Sequence, residues 1–159
     1  MARGKFKKIG DWEKVNAAIE KVAAKIEKAK EDFLKELGEL ALSKLKGHID
    51  AQDLGWRPLS QAYIDSKDAA GYSTDTWIRS GKLYDSLSII SIPSGVGIGV
   101  PEGEKTDEGE EVSMIAAVQE FGALSVGIYE RPLFRPTMEE IITWIEEQNP
   151  MQDVIDGLA

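Results

Sequence analysis

Between Trp12 and Phe33 the apolar residues fall at Trp12, Val15, Ile19, Val22, Ile26, Ala29 and Phe33, in alternating steps of three and four. That spacing lays a heptad stripe along one helix face, with lysine and glutamate on the other. Asp11 stands where it caps the first turn. Beyond Phe33 the stripe resumes as Leu37, Leu40, Ala41 and Leu45 after a small phase shift, which Gly38 accommodates. The pattern predicts one helix over 11–49, roughly 55–60 Å long at 1.5 Å per residue. A rod of that length exceeds the width of a small domain. Its first half, with Trp12, Val15, Ile19 and Val22, therefore docks on another chain or is buried within its own monomer; both readings stand. His48, the one histidine, is read as a partner for the helix C-terminus.

The rest of the chain reads as shorter elements. Ser60 caps a helix through Tyr63 to about Lys67, with Leu59 and Ile64 as its hydrophobic staple and Gly71 as its stop. Trp56 is read as core. Leu83 and Leu87 share one side of a short helical turn. Leu87–Ile92 and Val96–Val100 then form a hairpin around Pro93-Ser94-Gly95. Gly97 and Gly99 are spaced as GxG, but no GxxG helix start follows, so they are read as close backbone approach rather than a nucleotide loop. Ser113 caps a helix carrying Met114, Ile115, Val118 and Phe121 toward the core. Gly122 takes the position after it that needs a positive φ. Arg131 and Arg135 each precede proline and are biased to extended backbone. Pro136 opens a last helix that buries Ile141, Ile142, Trp144 and Ile145, stopped at Asn149-Pro150. The tail from Asp153 to Leu158 is weakly determined. The expectation is an α+β fold: a long N-terminal helix packed with a small antiparallel sheet and short helices, closed by a C-terminal helix. It comprises a flexible basic arm over 1–10 and one domain over 11–159.

Charge narrows the function. Residues 1–50 hold 12 Lys/Arg against 9 Asp/Glu, a net +3, and the remainder holds 7 against 19, a net −12. Sequence-reading DNA contact is therefore not expected away from the basic residues Arg3, Lys5, Lys7 and Lys8. Residues 101–111 concentrate Glu102, Glu104, Asp107, Glu108, Glu110 and Glu111 against one lysine. Without an EF-hand register they read as a disordered, solvated loop. The chain has no cysteine, which removes thiol chemistry, and no signal-like or membrane-length apolar run, so a reducing cytoplasm fits. No catalytic triad, HExxH, P-loop or two-histidine metal spacing occurs, and neither cofactor nor metal is expected. Glu120 and Glu130 are read as surface carboxylates rather than a glycosidase pair.

Four motif pieces lie in order: Trp56-Arg57-Pro58-Leu59-Ser60 with Tyr63 and Lys67; Ile78-Arg79-Ser80-Gly81-Lys82-Leu83 with Ser86 and Ile89; Val96-Gly97-Ile98-Gly99-Val100; and Ala116-Ala117-Val118-Gln119-Glu120-Phe121-Gly122 followed by Arg131-Pro132-Leu133-Phe134-Arg135-Pro136. Over 56–137 the chain resembles the tail-completion and neck-protein family of tailed bacteriophages, the virion-morphogenesis proteins typified by the G protein of phage Mu. It departs from the family pattern at Tyr129-Glu130, where Pro-Ala is usual, at Leu133, where phenylalanine is usual, and at Ser80, where threonine is usual. The resemblance implies a non-enzymatic structural protein of the virion, assembled in the host cytoplasm. Such a protein acts at the head–tail junction or tail top as a homo-oligomeric ring contacting neighbouring head and tail proteins. On that reading Phe121, Tyr129, Arg131, Phe134 and Arg135 join the helix stripe as contact residues. For the two arginines, ion pairing with glutamates of the last helix is the internal alternative. The six acidic residues of 101–111 would line a channel past which genomic DNA moves without sequence readout. The competing reading is a cytoplasmic adaptor that dimerises through the heptads.

Overall fold

In a computed structural model of the chain, the residues described are 11–93 and 95–156. The basic arm expected over 1–10 lies outside them. Helix α1 runs Trp12–Ala51 without interruption, and the Asp11 carboxylate accepts the Lys14 N–H at its start. The element order continues with α2 (Gln61–Ala69), α3 (Lys82–Ser86), β1 (Ser88–Ile92), β2 (Gly95–Gly99), α4 (Val112–Phe121), a 3-10 turn at Leu124–Val126, α5 (Phe134–Gln148) and α6 (Pro150–Asp156). The fold is α+β, with a long N-terminal helix, a two-stranded antiparallel sheet, short helices and a C-terminal helix.

Only the second half of α1 enters the core. Ala41, Leu45 and Ile49 are buried, and Leu45 and Ile49 share one cluster with Trp77, Leu83, Leu87, Val112, Ala116 and Leu133. Gly38 has a different task from the one expected. It is buried beneath the hairpin, where an added Cβ would stand 2.9 Å from Val96 Cγ2 and 3.2 Å from Ile89 Cγ2. Close approach thus falls on a helix glycine rather than on Gly97 or Gly99. Helix α5 lies along the same half of α1, tied by Lys44 Nζ to Glu140 at 2.9 Å. The His48 ring hydrogen-bonds Asp53 through Nδ1 at 2.8 Å, while its Nε2 lies 3.1 Å from Glu140 without hydrogen-bond geometry.

Two expected faces are turned. Helix α4 starts at Val112 with Glu111, not Ser113, at its cap position, and buries Val112, Ala116 and Glu120 rather than Met114 and Phe121. The inward row is i, i+4, i+8, so a carboxylate faces the core in place of the apolar residues of the expected face. Helix α5 begins at Phe134 and buries Thr137 and Ile141, leaving Ile142 half exposed. The acidic stretch is folded rather than disordered. Thr106 N–H donates to Glu110 O, Val112 N–H to Glu104 O, and the backbones of Lys105 and Glu111 form an isolated antiparallel β-bridge. Gly103 and Gly109, both at positive φ, permit its turns. Lys82 pairs with Glu104 at 2.9 Å and so rises above the usual lysine pKa range.

Candidate protein-interaction surface

The segment 115–137 is held by groups drawn from across the chain. Glu120, 4 % exposed, turns both carboxylate oxygens onto the free amides at the start of α5. Its Oε2 accepts Leu133 N–H at 2.6 Å and Phe134 N–H at 2.9 Å, and its Oε1 accepts Arg135 N–H at 3.1 Å. A helix N-terminus presents unpaired N–H groups and a partial positive charge, which explains why a carboxylate is accepted there with no cation. The expectation of a surface carboxylate is thus corrected for Glu120, while Glu130 is exposed.

Arg131 is buried as well. Its guanidinium donates to Arg57 O at 3.0 Å and Tyr129 O at 3.3 Å, while its own N–H reaches Gln119 O at 2.7 Å. Desolvation by burial lowers its pKa from the ordinary arginine value. Neither expected role fits: Arg131 holds backbone carbonyls inside the monomer, and no glutamate of α5 pairs with it among the described residues. Two indoles complete the clamp, Trp77 Nε1 donating to Arg131 O at 3.0 Å and Trp56 Nε1 to Pro132 O at 2.7 Å. Phe134, partly buried, packs edge-on to Trp77 with ring centres 6.0 Å apart and so lies against the core. Trp77 takes a left-handed φ of 66° while 3 % exposed. Such backbone costs a bulky residue about 1–2 kcal/mol. The fold holds it through its neighbours. The Gln52 side chain brackets Thr76, and buried Lys67 Nζ donates to Asp75 O at 2.7 Å and Ile78 O at 2.6 Å.

Gly122 closes the clamp. Its φ is 73°, and a Cβ there would stand 2.7 Å from Glu130 N. Past it, Ala123 and Ile128 bridge to form a narrow loop. The loop lifts an apolar ridge into solvent: Phe121 is 69 % exposed, Leu124 74 % and Val126 71 %. Leu124 and Val126 carry no motif and were not singled out by sequence; their only signal is an apolar residue in a glycine-flanked turn. Tyr129, 43 % exposed, lies with its ring 3.5 Å from the Arg57 guanidinium. Arg135 is exposed at its side chain. Beside the ridge opens a cleft of about 860 Å³ between α2 and α4, with Lys67 and Arg131 in its wall and Glu108, Glu110 and Glu111 along its rim. Glu104 is engaged with Lys82, and Glu102 and Asp107 face solvent.

The second surface is the first half of α1. Trp12, Val15, Ile19, Val22 and Ile26 are 46–61 % exposed, and every residue from 12 to 28 is on the surface. Of the two readings left open, burial within the monomer finds no support among the described residues, none of which covers this stripe. No helix of the described residues is long and apolar enough to cross a membrane. No group of three or more His, Cys, Asp or Glu among them is arranged to hold a metal. Compared with known protein families, curated proteins and solved structures, the chain matches none.

Proposed function

We propose that this chain is a structural protein of a tailed phage virion, placed at the head–tail junction or the tail top and working by ring assembly rather than catalysis. The observation that carries the reading is the clamped ridge. Phe121, Leu124 and Val126 stand in solvent on a backbone fixed by Glu120, Gly122, Arg131 and two tryptophans. Apolar groups on rigid backbone lose little entropy when covered, which is what a standing subunit contact needs. Repeated about an axis, such a heterologous contact closes a ring. The motif pieces behind the resemblance also converge: Trp56 and Arg57 meet Arg131-Pro132, and Glu120 meets Leu133–Arg135. The partners on this reading are further copies of the chain and neighbouring head and tail proteins. The carboxylates of 101–111 would present a negative wall past which genomic DNA moves without adhering.

Light scattering on wild-type protein and on Leu124→Ser and Phe121→Ser variants tests the proposal. Variants that melt like wild type but lose its higher-order mass support it. Variants that assemble like wild type remove the ridge as a contact. The uncovered stripe of α1 favours the second reading, an adaptor that dimerises through its heptads in the cytoplasm. On that reading mass would depend on the α1 stripe alone.

A further inference from the structure

The exposed half of α1 repeats itself. Its heptads read Trp12-Glu-Lys-Val15, Ile19-Glu-Lys-Val22 and Ile26-Glu-Lys-Ala29, with glutamate and lysine always on the solvent side of the stripe. We infer that the occupant of this stripe is the same stripe of a second copy, running antiparallel and in one register. In an antiparallel pair each first-position residue faces a fourth-position residue of the partner. Sliding the two helices until the exposed run is used up sets Trp12 against the partner's Ala29, Val15 against the partner's Ile26, and Ile19 against the partner's Val22. Every layer then joins a large residue to a smaller or equal one, the largest side chain of the stripe to the smallest. Alternation of that kind fills a core without voids. A parallel pair stacks Trp12 on its own copy at the tip and Ala29 on its own copy at the base, one layer overfilled and one empty. Charge does not choose between them. Parallel arms set Lys25 beside the partner's Lys30, and antiparallel arms set Asp11 beside the partner's Asp32, a like-charged contact either way. Side-chain volume decides.

The fold leaves room for this pairing. The overlap spans 12–29, about 27 Å of helix, and it ends where α1 first becomes partly buried, at Ala29. The body-facing row of α1, through Gly38, Ala41, Leu45 and Ile49, is rotated by roughly a third of a turn from the row ending at Ala29 and Phe33. A chain's own hairpin therefore does not stand over its stripe. The two-fold axis passes between Glu20 and Lys21, and the two bodies lie at opposite ends. The pairing is independent of the ridge: an isologous arm contact and a heterologous ridge contact coexist, or either stands alone.

The chain has no cysteine, so introduced ones report the pairing directly. Full-length Val15→Cys and Ile26→Cys variants are oxidised separately and as an equimolar mixture. The mixture is expected to give a mixed disulfide dimer, and each variant alone little or none. Disulfide dimers of each variant alone, with no mixed disulfide in the mixture, would mean parallel arms and overturn the proposal. In parallel, Leu124→Ser, with its ridge disabled, should sediment as a dimer of the 17.5 kDa chain. Adding Ile19→Asp should weaken that dimer roughly 100-fold, since each of two equivalent layers then buries a carboxylate, while the body melts unchanged. A Leu124→Ser protein that stays monomeric at all concentrations also overturns the arm pairing and leaves the ridge proposal untouched.

Discussion

Glu120 reaches across thirteen residues to accept the Leu133 amide at 2.6 Å, and that contact joins α4 to the start of α5. With the bonds to Phe134 and Arg135 it replaces a local cap, since Leu133 at that position has no side-chain acceptor. Glu120→Ala leaves three amides short of a partner in a buried site. A loss of about 3–5 kcal/mol is expected, in line with removing one member of a buried charged contact. Glu120→Gln keeps one acceptor oxygen and should lose about half as much. Urea unfolding of the two variants checks the order; equal, small losses would mean that water caps the helix.

Gly122 and Gly38 both admit close neighbours, but for different reasons. At Gly122 an alanine meets backbone at 2.7 Å and must hold φ at 73°. A cost of at least about 2 kcal/mol is expected. At Gly38 the alanine meets side chains rather than backbone, Val96 Cγ2 at 2.9 Å and Ile89 Cγ2 at 3.2 Å, which must give by a few tenths of an ångström, and it gains about 1 kcal/mol of helix propensity. Gly38→Ala should therefore fall within about 1 kcal/mol of wild type. Thermal melts of the two variants would show the gap, and reversed ranks would refute the account.

Lys67 predicts a pH dependence. Desolvation holds its folded pKa below the ordinary value of 10.5, opposed in part by Asp75. Between the lowered pKa and 10.5 the unfolded chain binds more protons than the folded one, so this group's contribution to stability rises with pH in that window and is flat below it. Tyr84 acts in the opposite sense, because its pKa is raised and its contribution fades as pH climbs through it. The difference between wild type and Lys67→Met isolates the lysine. Lys67→Met should be about 2 kcal/mol less stable at pH 7 through the orphaned carbonyls of Asp75 and Ile78, and should lack the upward slope near pH 10.

Amide exchange should divide α1 in two. Residues 12–28 are exposed, with no tertiary cover among the described residues, and should exchange quickly in dilute protein, while 41–51 should exchange at the rate of the global core. Uniform protection along α1 at the lowest concentrations would contradict this.

Much of the frame was legible because its signals are local. The heptad spacing, the Asp11 and Ser60 caps, the pairing of β1 with β2 as a hairpin and the positive φ at Gly122 all depend on neighbours within a few residues. Glu120, Arg131 and Lys67 were misread or passed over because their partners are distant. A carboxylate in an apolar helix is surface-like until the amides of a later helix arrive beneath it. The same holds for the acidic loop, whose order comes from Lys82 and its own backbone bonds rather than from composition. The ridge carried no pattern at all: Leu124 and Val126 are exposed because Gly122 and Gly127 turn the chain outward on either side.

The unbroken course of α1 makes it a lever. Its core half is wedged under the hairpin and α5, and Gly38 is the fulcrum over which the hairpin rests. From Gly38 to Trp12 is about 39 Å of helix, so a tilt of 10° at the fulcrum sweeps the tip through about 7 Å. Force applied to the arm by whatever holds it passes into the hairpin, whose Val96 and Ile89 side chains stand over Gly38.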